Sequence, residues 1–136
     1  MRALLDTSVL ISDDPSLLPE EAAISVASLA ELHFGLLLAK DPLERAHRAQ
    51  RLGFVEAEFD PIPVDAEIAR IWGELAHICV ARGLHPRRRS MDLLIAATAK
   101  ALRVPLISLD EDLNPLADVV DLRRDPGERA DLGTPG

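Results

Sequence analysis

Apolar residues come in short runs that alternate with longer stretches of helical period. The run before Asp6 predicts a strand over residues 2–5, and a second apolar run predicts a strand over residues 22–27. A third strand is predicted over residues 105–109, and an edge strand over residues 119–122. Short, mostly apolar runs of this kind are typical of the buried strands of a parallel sheet.

Between these predicted strands lie stretches in which apolar residues recur at helical spacing. They predict a helix capped by Ser28 and stopped at residues 41–42, a more polar helix over 43–52, an amphipathic helix over 65–82, and a helix from Ser90 to about residue 102. Strands that alternate with helices favour a mostly parallel sheet with helices on both faces, which is the α/β class. Ligands of such sheets bind at the carboxyl ends of the strands, so we expect any chemistry at that edge.

The length of the chain fits one domain. With 136 residues it can bury a sizeable core but is too short for two ordinary cores. The last residues are rich in proline and glycine and lack apolar periodicity. We therefore predict one domain over residues 1–122 and a flexible tail over residues 123–136.

Composition and charge exclude several classes of protein. Fifteen basic and 23 acidic residues give a formal net charge of −8, so any contact with nucleic acid is expected to be local. No apolar run is long enough to cross a membrane, and the first residues lack a secretory leader pattern, so we expect a cytoplasmic protein with no membrane partner. Cys79 is the only cysteine, which excludes an internal disulfide and a thiolate metal site.

Four acidic residues are expected at the carboxyl edge of the sheet. Asp6 and Asp110 each follow a predicted strand. Glu31 and Asp92 lie in the predicted first turns of helices that begin at the same edge. Each acid also has a structural interpretation, because acidic side chains cap helices and complement helix dipoles. For Glu31 this interpretation is a capping box with Ser28.

The surroundings of two of these acids favour a metal. The helices that carry Glu31 and Asp92 are apolar nearly all round and are predicted to be buried. A buried carboxylate costs on the order of several kcal/mol unless it is paired or holds a metal. Clustered carboxylates repel one another, whereas Mg²⁺ or Mn²⁺ prefers oxygen ligands. The cluster therefore predicts a divalent metal and, as its natural chemistry, phosphodiester hydrolysis.

Four blocks of the sequence resemble, in order, those of PIN-domain ribonucleases, and most closely those of VapC-type toxins of bacterial toxin–antitoxin pairs. The blocks are LLDTSVL at 4–10, SLAEL at 28–32 with Gly35, DLLIAATA at 92–99 and LISLDEDL at 106–113. The resemblance covers about residues 2–122. It implies a PIN-like, Rossmann-like three-layer fold with a central, mostly parallel sheet flanked by helices.

The same resemblance implies a function. It implies an endoribonuclease, dependent on Mg²⁺ or Mn²⁺, that hydrolyses RNA with a metal-activated water as the toxin of a type II toxin–antitoxin pair. It also implies a VapB-type antitoxin as partner, and we expect a homodimer. Block by block, it carries the catalytic and metal-binding roles to four acids and a supporting hydroxyl role to Ser8. The four acids are Asp6, Glu31, Asp92 and Asp110.

The last block departs from the family pattern. It has Leu113 where an aromatic residue is usual and Ser108 where threonine is common. Asp110 and Asp112 are therefore both candidates for the fourth acid. We favour Asp110 because it directly ends the predicted strand.

Other protein classes fit the sequence less well. The segment around Asp110 also resembles the start of a haloacid-dehalogenase-type phosphatase, but only 24 residues follow Asp112 and none is lysine. A phosphoacceptor receiver domain fails for a similar reason, because no lysine follows the final strands. A catalytically silent PIN-like binding module and a housekeeping nuclease outside any toxin–antitoxin pair remain the stronger alternatives.

A basic cluster precedes the helix that carries Asp92. It consists of Arg87, Arg88 and Arg89. The guanidinium fork matches phosphate geometry, so this position beside the predicted metal site favours contact with RNA phosphates. The alternative is a solvated loop.

Overall fold

The computed structural model describes residues 1–128, in which four strands form one parallel sheet in the order β2-β1-β3-β4. The strands are β1 (Arg2–Leu5), β2 (Glu21–Ala23), β3 (Leu106–Ile107) and β4 (Leu122–Arg123). Parallel neighbours need crossover connections, and the helices between the strands supply them. The predicted α/β class with a parallel sheet is confirmed.

Helices cover both faces of this sheet. Within residues 1–128 they are α1 (Thr7–Ser12), α2 (Val26–Leu38), α3 (Pro42–Glu58), α4 (Ala66–Ala81) and α5 (Ser90–Leu102). Leu4 and Leu106 point to a core shared with α4 and α5, whereas Leu5 and Ile107 point to a core shared with α1 and α3. This alternation of side chains along the strands produces the predicted three layers.

Helix α2 differs from its prediction in two ways. Its N-cap is Ser25, whose hydroxyl accepts a hydrogen bond from the amide of Ala27 at 3.0 Å, and not Ser28. The predicted strand over 22–27 is therefore shorter and ends at Ala23. The helix is also not buried all round, since Phe34 is 63% exposed. Burial depends on what packs against a helix, and nothing in the described part of the chain covers this face.

Two strands and three helical elements also depart from the prediction. Strand β3 covers only Leu106–Ile107 of the predicted 105–109, and β4 covers Leu122–Arg123 where residues 119–122 were predicted. Helix α1 was not predicted, because its six residues are too few to show helical periodicity. Helix α3 continues to Glu58, six residues beyond its predicted end. Residues Pro86–Arg89, predicted as a plain connection, form a 3₁₀ helix.

The C-terminal part of the fold extends past the predicted domain boundary. Arg123 belongs to β4, and its carbonyl accepts a hydrogen bond from the amide of Ser108 at 3.0 Å. The predicted tail therefore begins inside the sheet. Its last residues, 129–136, lie outside the described residues, so their flexibility stays a prediction. No helix in residues 1–128 is long and apolar enough to cross a membrane.

Candidate active site

The carboxyl edge of the sheet brings together the acids that the sequence places there. Asp6 follows β1 directly and is 2% exposed. It stands at the N-cap of α1, as the structural interpretation predicts, but its side chain makes no capping hydrogen bond. Asp110 caps the 3₁₀ helix Glu111–Leu116, where it accepts a hydrogen bond from the amide of Asp112 at 2.9 Å.

The other two acids project from helices. Asp92 lies in the first turn of α5, as predicted, although the N-cap of this helix is Arg89 and not Ser90. Glu31 lies beyond the first turn of α2, because that helix begins at Val26. A capping box requires the acid to stand three residues after the N-cap, so the capping-box interpretation of Glu31 is also wrong.

Hydroxyl groups hold two of these carboxylates. Ser8 and Ser108 both donate to Oδ2 of Asp6, at 2.7 and 2.9 Å. Thr7 donates to Oε1 of Glu31 at 2.6 Å. The hydroxyl of Ser8 lies next to Asp6, as the family resemblance implies. Ser108 and Thr7 were not predicted as site residues, although both lie in the quoted blocks and bear hydroxyls close to a candidate acid.

Burial and the negative charges at the site raise the pKa of two of the acids. Burial raises the pKa of Asp92 to about 7, with further increases from the negative charges of Asp6, Asp110 and Glu31. Burial also raises the pKa of Glu31, although the hydrogen bond from Thr7 opposes the increase. The charges of Asp6 and Asp110 at the strand ends therefore act on Glu31 and Asp92, the two acids on the helices.

The donor set is suited to a hard divalent cation. Oδ1 of Asp6 is buried and has no hydrogen-bond partner within residues 1–128, so this oxygen is free to bind a ligand. The neighbouring donors are carboxylate oxygens, which Mg²⁺ and Mn²⁺ prefer. In the described residues, no three acidic, histidine or cysteine side chains are assembled closely enough to form a complete metal site. The fit of a cation therefore rests on donor chemistry and on the free oxygen of Asp6.

Asp110 and Asp112 have different contacts in the structure. The charge of Asp110 raises the pKa of both Glu31 and Asp92, and Asp112 is not among the causes of either shift. The contacts of Asp112 are made by its backbone, whose amide donates to Asp110 and whose carbonyl accepts from Arg89. The assignment of the fourth acid to Asp110 stays a prediction.

The basic cluster is divided in the structure. Arg87 and Arg88 are exposed on the 3₁₀ helix before α5. Arg89 is partly buried, donates to the carbonyl of Asp112, and has a charge that lowers the pKa of Asp92. Arg89 therefore already has a role within the protein, whereas Arg87 and Arg88 are open to a ligand.

Known proteins are similar to this chain over most of its length. The model of the family described as "PIN domain" matches residues 3–119. The chain is similar to Ribonuclease VapC5 of Mycobacterium tuberculosis, with 38% identity over 115 residues that cover 80% of this chain and 83% of the relative. It is also similar to Ribonuclease VapC8 of the same species, with 39% identity over 101 residues that cover 71% of this chain and 89% of the relative.

Solved structures give the same result. The crystal structure of VapBC-5, a member of the VapBC family of toxin–antitoxin systems from M. tuberculosis, contains a chain that matches with a TM-score of 0.79 and 36% identity. The match covers 90% of this chain and 97% of that chain. A chain of VapBC2 from Rickettsia felis, bound to a promoter DNA fragment, matches with a TM-score of 0.72 at 23% identity and shows the shared fold.

Proposed function

This chain belongs to the PIN-domain family, and we propose that it is a metal-dependent endoribonuclease that acts as the toxin of a type II toxin–antitoxin pair. The observation that carries the proposal is the set of coupled carboxylates at the carboxyl edge of the sheet, with one free buried oxygen on Asp6. The similarity of this chain to ribonucleases over most of its length supports RNA as the substrate.

The residues that would hold the cation are the four coupled acids. They are Asp6, Glu31, Asp92 and Asp110. When bound, Mg²⁺ or Mn²⁺ lowers the pKa of a water molecule and stabilises the leaving oxygen of phosphodiester hydrolysis.

The surrounding side chains keep these acids in place. Ser8 and Ser108 orient Asp6 so that Oδ1 stays free, and Thr7 orients Glu31. Preorganised ligands matter because a small displacement of a reacting group reduces the rate strongly. For the substrate, we assign contact with RNA phosphates to the basic cluster, mainly to its exposed members Arg87 and Arg88.

Metal dependence is the first test of this proposal. Purified protein is expected to cleave a structured RNA with Mg²⁺ or Mn²⁺, to stop when EDTA is added, and to resume with excess metal. A gel assay of labelled RNA measures the cleavage, and Asp92→Asn purified in the same way reveals contaminating nuclease. Cleavage that persists in EDTA would contradict the metal requirement. An absence of cleavage with every divalent metal would favour a catalytically silent binding module.

We also propose that a VapB-type antitoxin binds this chain, and that the chain forms a homodimer. The similarity to VapBC-5 supports the antitoxin, because that structure is a member of the VapBC family of toxin–antitoxin systems. The acidic edge is suited to a basic side chain of such a partner. Mass measurement by light scattering tests the homodimer, and a monomer over the whole concentration range would exclude it.

The toxin role predicts growth arrest that the partner relieves. Expression of this chain alone is expected to stop growth, and co-expression with the product of a small neighbouring gene is expected to restore growth and to co-purify a complex. Colony counts and affinity purification measure the two effects. If the chain alone is harmless in several hosts while it still cleaves RNA in vitro, it is a housekeeping nuclease and not a toxin.

A further inference from the structure

A segment beyond the matched family region returns to the candidate active site. The family match ends at residue 119, and β4 follows at Leu122–Arg123. The guanidinium group of Arg124, the next residue, donates from Nη1 to the carbonyl of Ser108 at 2.9 Å and from Nη2 to Oδ1 of Asn114. One side chain therefore connects the end of β3 with the 3₁₀ helix Glu111–Leu116.

In sequence, Asp110 lies between the two residues that accept hydrogen bonds from Arg124. Ser108 stands two residues before Asp110, and its hydroxyl accepts from the amide of Asp110 at 3.0 Å while donating to Asp6. Asn114 stands four residues after Asp110, in the 3₁₀ helix that Asp110 caps. The guanidinium group thus holds the chain on both sides of a candidate metal ligand, and through Ser108 it also reaches Asp6.

We propose that Arg124 is a positioning residue that holds the segment carrying Asp110 in the geometry required for metal binding and RNA cleavage. This inference rests on the proposed function. The segment needs such support because it follows a strand of two residues and brings one carboxylate towards others that repel it. Hydrogen bonds from a charged guanidinium are stronger than neutral ones, and its planar fork reaches two acceptors in a fixed orientation.

The experiment compares two neighbouring arginines. Arg123 also carries a guanidinium group, but it pairs with Asp121 and with the carbonyl of Glu128. Arg124→Ala is expected to lower kcat about 10- to 100-fold with KM for RNA within about threefold, whereas Arg123→Ala keeps wild-type values. Arg124→Lys is expected to lower kcat to the same extent as Arg124→Ala, because an ammonium group cannot reproduce the two hydrogen bonds of the planar guanidinium fork.

Metal binding supplies a readout that is independent of turnover. Titration calorimetry with Mn²⁺ is expected to show about tenfold weaker binding for both Arg124 variants and no change for Arg123→Ala. Asn114→Ala is expected to weaken Mn²⁺ binding less than Arg124→Ala, and the double variant is expected to add little to Arg124→Ala, because both remove the same contact. All assays are run well below the melting temperature of each variant, so that loss of folded protein does not enter the result.

Three results would overturn the proposal. In the first, Arg124→Ala raises KM and flattens the salt dependence like an Arg87→Ala/Arg88→Ala double variant, which would make Arg124 a contact for RNA phosphates. In the second, Arg124→Ala equals wild type in kcat and in Mn²⁺ affinity. In the third, Arg124→Lys restores both quantities, which would show that charge alone is needed. An inactive wild type whose Mn²⁺ binding still depends on Arg124 would remove the proposed function and leave the positioning role standing.

Discussion

Asp92→Asn is expected to abolish RNA cleavage and, without metal, to stabilise the protein above pH 7. Asparagine preserves the size of the side chain but removes one of the four negative charges proposed to hold the cation. We expect kcat to fall about 10³-fold or more, since metal-assisted hydrolysis depends on a complete set of anionic ligands. A multiple-turnover assay at saturating RNA measures this loss.

The stability effect follows from the pKa of Asp92. Burial and three neighbouring carboxylates raise this pKa to about 7, so the folded protein disfavours the ionised side chain. Wild type therefore loses stability as the pH rises from about 4, where the unfolded carboxyl ionises, to about 7. Because Asp92 is only partly buried, solvent screening reduces the cost, and we expect about 1–2 kcal/mol.

Calorimetry in EDTA at several pH values checks this expectation. At pH 8 the melting temperature of Asp92→Asn is expected to exceed that of wild type by roughly 3–8 °C, and below pH 4 the difference is expected to vanish. Asp118→Asn is a matched control, because it removes the same charge from an exposed pair with Arg82. Full activity of Asp92→Asn would exclude Asp92 from catalysis, and a lower melting temperature at every pH would make it a structural residue.

Asp110→Asn is expected to reduce turnover strongly, whereas Asp112→Asn is expected to remain active. Both variants remove one negative charge within a span of three residues, so their effects on RNA attraction are alike. Asparagine is also a good N-cap, so Asp110→Asn retains the cap of the 3₁₀ helix Glu111–Leu116. A loss of activity at position 110 therefore reports on the negative charge itself.

The sizes of the two effects are expected to differ widely. Asp110→Asn is expected to lower kcat about 10²- to 10³-fold at saturating RNA and to weaken Mn²⁺ binding. Asp112→Asn is expected to change kcat by less than about threefold, because Asp112 makes its contacts through its backbone, whereas the charge of Asp110 raises the pKa of Glu31 and Asp92. Kinetics and titration calorimetry on both variants measure these differences. The reverse pattern would assign the fourth acid to Asp112.

Local sequence patterns were sufficient for the central part of the fold. The apolar run before Asp6 predicts β1, because buried strands need apolar residues on both faces. The run before Asp110 predicts the position of β3, but this strand ends at Ile107, so Asp110 does not end it directly. The helical period over 65–82 predicts α4 to within a residue at each end. Since parallel strands end at one edge of the sheet, the shared location of Asp6 and Asp110 also followed from sequence.

Where local signals compete, the sequence was ambiguous. Ser25 and Ser28 are equally good N-caps by residue type, and the hydrogen bonds between residues 24–26 and Ile62 favour the earlier start of α2. The exposure of Phe34 could not be predicted from the sequence either, because an apolar helix face is buried only if another element packs against it. The period of apolar residues describes a single helix, whereas the burial of that helix depends on the elements around it.

The arrangement of the site was decided by tertiary structure. Ser8 and Ser108 meet at Asp6 although 100 residues separate them, and Arg124 reaches Ser108 only because β4 pairs with β3. A spacing in sequence cannot show which hydroxyl donates to which carboxylate, since a hydrogen bond needs its atoms within about 3 Å in a fixed orientation. The residue types and the edge of the sheet were therefore set by the sequence itself, and the contacts that orient the acids were set by how the strands pair.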